Sequence, residues 1–464
     1  MHFYKTFISA AALCCSSAVL ADQPPFKIVD GLFDPTQKET MGLEYAPGAE
    51  TVTVFSAADD TDHYANGVVM AAFKGDLYCM WQSSMKDEDA ADTWVAYSRS
   101  TDNGNTWSAP MVLCPTIDDG YCASGGWYAS ENKLVGYINT RPKSVANSGG
   151  YTMYVESSDG ISWTEPKPLL MADGTQLDGI FEQDPHKLPD GRIIGAAHFQ
   201  PGLKLCPVYT DDPTGTGGWK KGEFAFTSNG AQSVELEPSF FMQSDGTLVM
   251  IMRDQKSSYF TLAATSSDRG ETWTPAVKTN MPDSRAKQCG GNLPDGTAFM
   301  VNNPGRVTKS GTTWRVPLAI TLSSDGMTFD RSYLLRSGND DDYPKQRYSG
   351  QSKTLGYSYP KALVYGGYVY VSYSTNKDDA QYTRVPVDNL VAGIKTPMQD
   401  RPVTLDGKRL VVNAATADIE VYDLAGRMLE KVSTAAADLS ALLSGIYIVK
   451  ITVSGETSVL KLAL

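Results

Sequence analysis

Several things are scarce in this chain, and each scarcity excludes a class of function. Among 464 residues there are only four histidines and seven cysteines. No C-x-x-C pair occurs, so a zinc site is not expected. Positive charge is short as well. Forty Lys and Arg face 53 Asp and Glu, a net charge of −13, which argues against nucleic acid or an anionic membrane as partner. Long apolar runs are absent apart from Phe7 to Leu20, which is too short to cross a membrane. With Lys5 before it and Val19-Leu20-Ala21 after it, that run reads as a secretory signal over residues 1–21. Five cysteines survive its removal: Cys79, Cys114, Cys122, Cys206 and Cys289. Cys114 and Cys122 are open to pairing in an oxidising compartment or to remaining buried thiols.

What the chain has in quantity is a repeat. Ser100-Thr101-Asp102-Asn103-Gly104-Asn105-Thr106-Trp107 returns as Ser266-Ser267-Asp268-Arg269-Gly270-Glu271-Thr272-Trp273. Shortened copies centre on Asp159 and Asp325, and a worn copy on Asp212 ends at Trp219. Acids at 102, 159, 212, 268 and 325 are spaced 57, 53, 56 and 57 residues apart, the period of stacked supersecondary units. The physics is local. The acid accepts backbone amides at a tight turn, Gly supplies a positive φ, and Trp brings apolar surface for a neighbouring unit to cover. The motif reads as a hairpin staple on the rim and carries no chemistry of its own.

A second repeat sets the count. Turn-and-strand segments begin at Lys74-Gly75, Glu131-Asn132, Asp190-Gly191, Asp245-Gly246, Asp295-Gly296 and Gly366-Gly367. Six such hairpins imply an all-β six-bladed propeller over residues 22–392. Thr51 to Phe55 alternates like a strand and is expected to close the last blade. Thr396 to Pro402 reads as a linker, and the tail over 393–464 as a small β-sandwich-like domain of short strands. The Asp340-Asp341-Asp342 run lacks the spacing of a calcium loop and reads as a solvated loop.

The tail, through Val421-Tyr422-Asp423-Leu424-Ala425-Gly426-Arg427, Gly445-Ile446-Tyr447 and Lys461, resembles the C-terminal sorting domain of the type IX secretion system. That resemblance implies export across a Gram-negative outer membrane, with the secretion machinery as partner.

The inner strands of a propeller converge on its axis, where acids, aromatics and a few bases crowd one end here, as a glycan site requires. The staples and these strands resemble the exo-sialidase family. Glu237, ahead of Asp245-Gly246 and Met250-Ile251-Met252-Arg253, is similar to that family's segment with the glutamate that polarises the nucleophile and with the second carboxylate-binding arginine. Asn303-Pro304 with Trp314-Arg315 resembles the segment carrying the third arginine. Lys86-Asp87-Glu88-Asp89-Ala90 resembles the acid/base loop and points to Asp87. Gly356-Tyr357-Ser358-Tyr359 resembles the nucleophile strand, with the register open between Tyr357 and Tyr359. The resemblance implies a retaining exo-glycoside hydrolase with a tyrosine nucleophile and no cofactor. Its substrate is a terminal acidic sugar held by Arg253 and Arg315, with Arg347 assisting.

One departure stands out. The family's first-blade Arg-Ile-Pro is replaced by Ala65-Asn66-Gly67, and neither Ala nor Asn reproduces a bidentate guanidinium. The gap keeps two alternatives open. One is a lyase or rhamnosidase-type propeller acting on uronic-acid glycans, with His63 as the histidine near the first blade. The other is a glycan-binding propeller without catalysis. The wall beside Ala65 is expected to be open unless Arg347 or His63 fills it.

Overall fold

In the computed structural model the described residues are 23–463, apart from 146–148, 225–236, 257, 306, 310–311, 340–344, 392–402, 407, 413, 415, 424–426, 444 and 454–455. The signal segment, the Asp340-Asp341-Asp342 run, most of the linker and Leu424 to Gly426 of the tail motif lie outside them.

Among the described residues up to Pro386, six sheets of four or five strands follow one another along the chain. Each of the first five begins with its inner strand: Tyr64–Phe73, Tyr121–Ala129, Gly179–Phe181 with His186–Lys187, Ser239–Met242, and Cys289–Asn292. The sixth begins at Tyr357–Tyr365, and its outermost strand comes from the other end of the chain. Glu50–Phe55 pairs antiparallel with Asp379–Pro386, Thr51 opposite Thr383, so the ring is closed as the alternation of Thr51 to Phe55 implies. A ring without open edges removes the main hazard of an all-β chain.

The staples do what their turn chemistry dictates. Asp102 accepts the Thr106 amide at 2.9 Å and the Thr106 hydroxyl at 2.6 Å, and Ser100 Oγ accepts the Gly104 amide at 2.8 Å. Asp268 repeats the pattern with Thr272. The staple aromatics then join neighbouring blades: Trp107 packs edge-on to Tyr382, and Phe329 to Phe241. Hydrogen bonds led by the Thr106 hydroxyl hold the Asp102 carboxyl down at about 2, against an ordinary 3.8. A depressed carboxylate stabilises the fold above its unfolded pKa, and that stabilisation fades as pH falls through the folded one. Asp102→Ala is therefore expected to lower Tm by a few degrees at pH 7. The deficit should shrink between about pH 4 and pH 2. Thermal melts across that range check it. An undiminished deficit at pH 2 would remove the staple reading.

The five cysteines are thiols. Cys114 and Cys122 both donate to the Pro115 carbonyl, at 3.6 and 3.5 Å.

The chain divides into two compact units, 1–385 and 386–464. In the second, a three-stranded sheet (Val403–Asp406, Arg409–Val412, Ala436–Asp438) and a four-stranded one (Asp418–Tyr422, Met428–Val432, Ile446–Val453, Glu456–Ala463) share a core. Leu410 and Val412 from one sheet meet Ile419, Val421 and Val449 from the other.

Candidate functional site

The tops of the inner strands are irregular, and this irregularity builds the site. Pairing slips by one residue between Asn66 and Val69 in blade 1, and between Ser358 and Lys361 in blade 6. Such bulges re-aim side chains out of the pleat. Tyr359 sits in the second bulge with φ +57°, Glu237 has φ +47° and Asp89 φ +60°. Left-handed backbone costs a non-glycine residue about 1–3 kcal/mol and is retained mainly where the surroundings demand it. All three side chains line one cavity of about 210 Å³.

Charges in the cavity are paired, within blade 4 and across blades. Glu237, almost fully buried, takes Arg253 Nη1 at 2.8 Å and lies 3.6 Å from Lys287 Nζ. Lys287 also reaches Glu182 at 2.7 Å, and Glu182 accepts Arg141 at 3.2 Å. Burial works against ionised Glu182 and Glu237, but Lys287 with Arg141, and Arg253 with Lys287, hold both below the usual carboxylate range. At the bottom, Lys361 lies 3.6 Å from Asp184. Burial pushes that lysine down and that aspartate up, each toward neutrality. Beyond Lys361, farther along the same strands, lies a larger cavity of about 440 Å³ with mostly apolar walls, including Phe240, Met242, Phe299 and Val364. It holds none of the paired charges above except Lys361 and Asp184.

Two groups stand apart from the paired charges. The Tyr359 hydroxyl accepts Arg315 Nη2 at 3.3 Å, and the Arg315 guanidinium carbon lies 4.3 Å from the ring centre. Burial raises the phenol, but Arg315 and then Lys377 outweigh it, and the net shift is below the ordinary 10.0. Asp89 moves the other way. It reaches solvent at the loop surface, yet the protein packed round its carboxyl, and then the charge of Glu88, push it up to about 6. A phenol pushed down and a carboxyl pushed up in one cavity is the pattern of an assigned nucleophile and acid.

The structure sorts the sequence candidates. Glu237, Arg253 and Tyr359 line the cavity, and Arg315 touches it through Tyr359. Tyr357 does not. Its hydroxyl donates to the Ser337 carbonyl at 2.8 Å, and its ring packs edge-on to Tyr373, wholly buried. Asp87 is turned away too: its carboxylate accepts the Gln351 amide at 2.6 Å, and its carbonyl accepts Ser84 Oγ at 2.7 Å. The next two residues, Glu88 and Asp89, face the cavity instead. His63 is stacked on Tyr348, 3.8 Å apart and nearly parallel, with Nε2 against the Ala58 carbonyl. Arg347 pairs with Asp379 and donates to Ser56 Oγ. Neither His63 nor Arg347 lines the cavity. A Glu237–Tyr359 hydrogen bond, which the family pattern implies, is not made among the described residues; the carboxylate goes to Arg253 and Lys287.

Sequence reading missed Asp89, Glu182, Lys287 and Lys377. Three acids within Asp87-Glu88-Asp89 are a signal of the loop, but nothing local chooses among them. Glu182 directly follows the Gly179–Phe181 strand and Lys287 stands two residues ahead of Cys289–Asn292, inner-strand positions that mark them as axial.

The fold and this axial cavity define a sialidase-like propeller. Residues 75–371 match the BNR repeat-like domain, and the chain belongs to that family. Residues 400–464 match the secretion system C-terminal sorting domain, so the propeller carries a type IX secretion tail. Among solved structures, one described as a sialidase aligns at TM-score 0.56 and 17% identity over 94% of this chain and 49% of its own. This chain thus spans about half the length of that protein. A Hadza microbial sialidase aligns at 0.57 and 17%, over 73% of this chain and 68% of its own. Trypanosoma rangeli sialidase in complex with sialic acid aligns at 0.52 and 13%, over 90% and 89%. These likenesses concern the fold. No curated protein matches the sequence.

Proposed function

We propose that the protein is an exported, exo-acting retaining glycoside hydrolase that releases a terminal acidic sugar from a glycan. One observation carries this: Tyr359, lowered by Arg315 and Lys377, and Asp89, raised to about 6, open onto the same small cavity. In this reading the Tyr359 phenol passes its proton to the ionised Glu237 carboxylate as its oxygen attacks the anomeric carbon, while Asp89 gives its proton to the departing glycosidic oxygen; Asp89 then takes a proton from the water that displaces Tyr359, which recovers its own proton from Glu237. A phenol suits an anionic sugar because it carries no full charge before reaction. Arg315 and Arg253 face the sugar carboxylate, and Glu237, itself 3.6 Å from Lys287, holds Arg253 in place. At about 210 Å³ the cavity suits one sugar residue rather than a chain, since sites for larger ligands span about 300–1,000 Å³. The sorting tail supports delivery to the outer-membrane surface or beyond.

The Arg315–Tyr359 contact also favours a second reading. A phenol with lowered pKa is a competent base for a uronate lyase, with Arg315 neutralising the carboxylate.

One experiment separates them. Purified propeller is offered aryl glycosides of acidic sugars and uronic-acid polysaccharides. Hydrolysis with retained anomeric configuration, and a covalent sugar adduct at Tyr359 with a fluorinated substrate, is expected. An unsaturated product absorbing in the ultraviolet would select the lyase. Binding without any product would overturn both in favour of a binding propeller.

A further inference from the structure

The wall beside Ala65 is not open. A cation stands there, and it comes from neither of the two residues the sequence offered. Ala65 donates its amide to the Lys377 carbonyl at 3.0 Å, which brings the hairpin end of blade 6 against the blade 1 position where the family places an arginine. Lys377 has φ +55°, directly after Asn376 at +57°, a tight turn that aims its side chain inward. That side chain is 1% exposed. Its Nζ lies 2.9 Å from Glu88 Oε1, 5.2 Å from the Tyr359 ring centre and 5.5 Å from that of Tyr64. Glu88 Oε1 also accepts Asn66 Nδ2 at 3.0 Å, so the residue next to Ala65 helps hold the holder.

A buried ammonium is costly, and an apolar pair of similar volume would serve the fold as well or better. Its retention against the Tyr359 ring calls for another account. We propose that Lys377 supplies from blade 6 the cation that Ala65 does not supply from blade 1, as a positioning residue that acts on the Tyr359 phenol from behind the cavity lining. Glu88 is its holder. An ammonium is a point charge without the planar fork of a guanidinium. Lys377 therefore acts on Tyr359 as a charge and does not grip a carboxylate edge-on, and holding the sugar falls to Arg315 and Arg253. The inference rests on the reading of Tyr359 as the reacting phenol.

Among the described residues, the charged groups set against Tyr359 are Arg315 ahead of blade 5's third strand, Lys377 in blade 6, Lys287 ahead of blade 5, Arg253 and Glu237 in blade 4, and Glu88 in blade 1. Lys377 favours the ionised phenol and Glu88 disfavours it, so their removal has opposite signs.

The test needs no substrate. A near-ultraviolet difference titration of the wild type against Tyr359→Phe isolates the ionisation of this one tyrosine. It is repeated in Lys377→Met, Lys377→Arg and Glu88→Gln backgrounds. Lys377→Met is expected to lower the ionisation constant about tenfold, moving the midpoint up by about one pH unit. Lys377→Arg should restore it, and Glu88→Gln should move the midpoint down. An unmoved midpoint in Lys377→Met, or shifts of the same sign in Lys377→Met and Glu88→Gln, overturns the proposal. So does a wild-type Tyr359 that fails to titrate while the protein stays folded. Should Lys377→Met not fold, the downward shift in Glu88→Gln and its absence in Lys377→Arg decide the matter. Failure of the hydrolase reading would show separately, as no turnover on any glycoside with these shifts intact.

Discussion

Tyr359→Phe should abolish turnover, by roughly three orders of magnitude or more in kcat, while leaving Tm and the binding of an acidic sugar close to wild type. Among the described residues the phenol oxygen accepts one hydrogen bond, from Arg315 at 3.3 Å, so its deletion removes little from the fold. Tyr357→Phe is the matched control with the opposite outcome. Its hydroxyl donates to the Ser337 carbonyl in the buried core, and losing such a hydrogen bond costs about 0.5–1.5 kcal/mol. That variant should melt earlier and turn over normally. Stopped assays paired with thermal melts on both variants settle the register. More than a tenth of wild-type activity in Tyr359→Phe would end the nucleophile assignment.

The second large effect concerns the acid loop. Asp89 must be protonated to donate, and its carboxyl titrates at about 6. As pH rises through about 6 the acid form is lost, and kcat/KM on a glycoside with a poor leaving group should fall about tenfold per further pH unit. Asp89→Asn should cost about 10²–10⁴-fold on that substrate and flatten this limb of the profile. An aryl glycoside whose leaving group needs no proton should lose far less. Asp87→Asn should leave the limb where it is, because the Asp87 carboxylate anchors the loop to Gln351 rather than facing the cavity. A limb unchanged in Asp89→Asn would transfer the acid role elsewhere. Glu88 would be the next residue to test, being the other carboxylate of this loop in the cavity.

The contacts in the site differ in how far the sequence reveals them. Glu237 and Arg253 are sixteen residues apart on adjacent strands of one blade, and their pairing follows from the hairpin between them. Arg315 is legible through Trp314-Arg315 and the staple beyond it. Lys377 is not legible. It follows the second strand of the last blade in an ordinary turn, and only closure of the ring sets it against Ala65, 312 positions earlier in the chain. Arg347 and His63 looked like cations or bases for the same wall. Their nearest partners, Asp379 and Tyr348, take them out of it.

Residue chemistry alone determined the blades, because each staple satisfies its hydrogen bonds within about five residues and needs no distant partner. The same holds for the closing strand, whose alternation commits it to a sheet edge, and for the sorting tail. The tertiary structure decided which tyrosine and which acid reach the axis. Residues two apart in a regular strand share a face, so Tyr357 and Tyr359 are equivalent by pattern; the slip between Ser358 and Lys361 sends one into the core and the other into the cavity. Asp87 and Asp89 differ for a similar reason: a contact from a segment some 260 residues away claims the first and leaves the second facing the cavity.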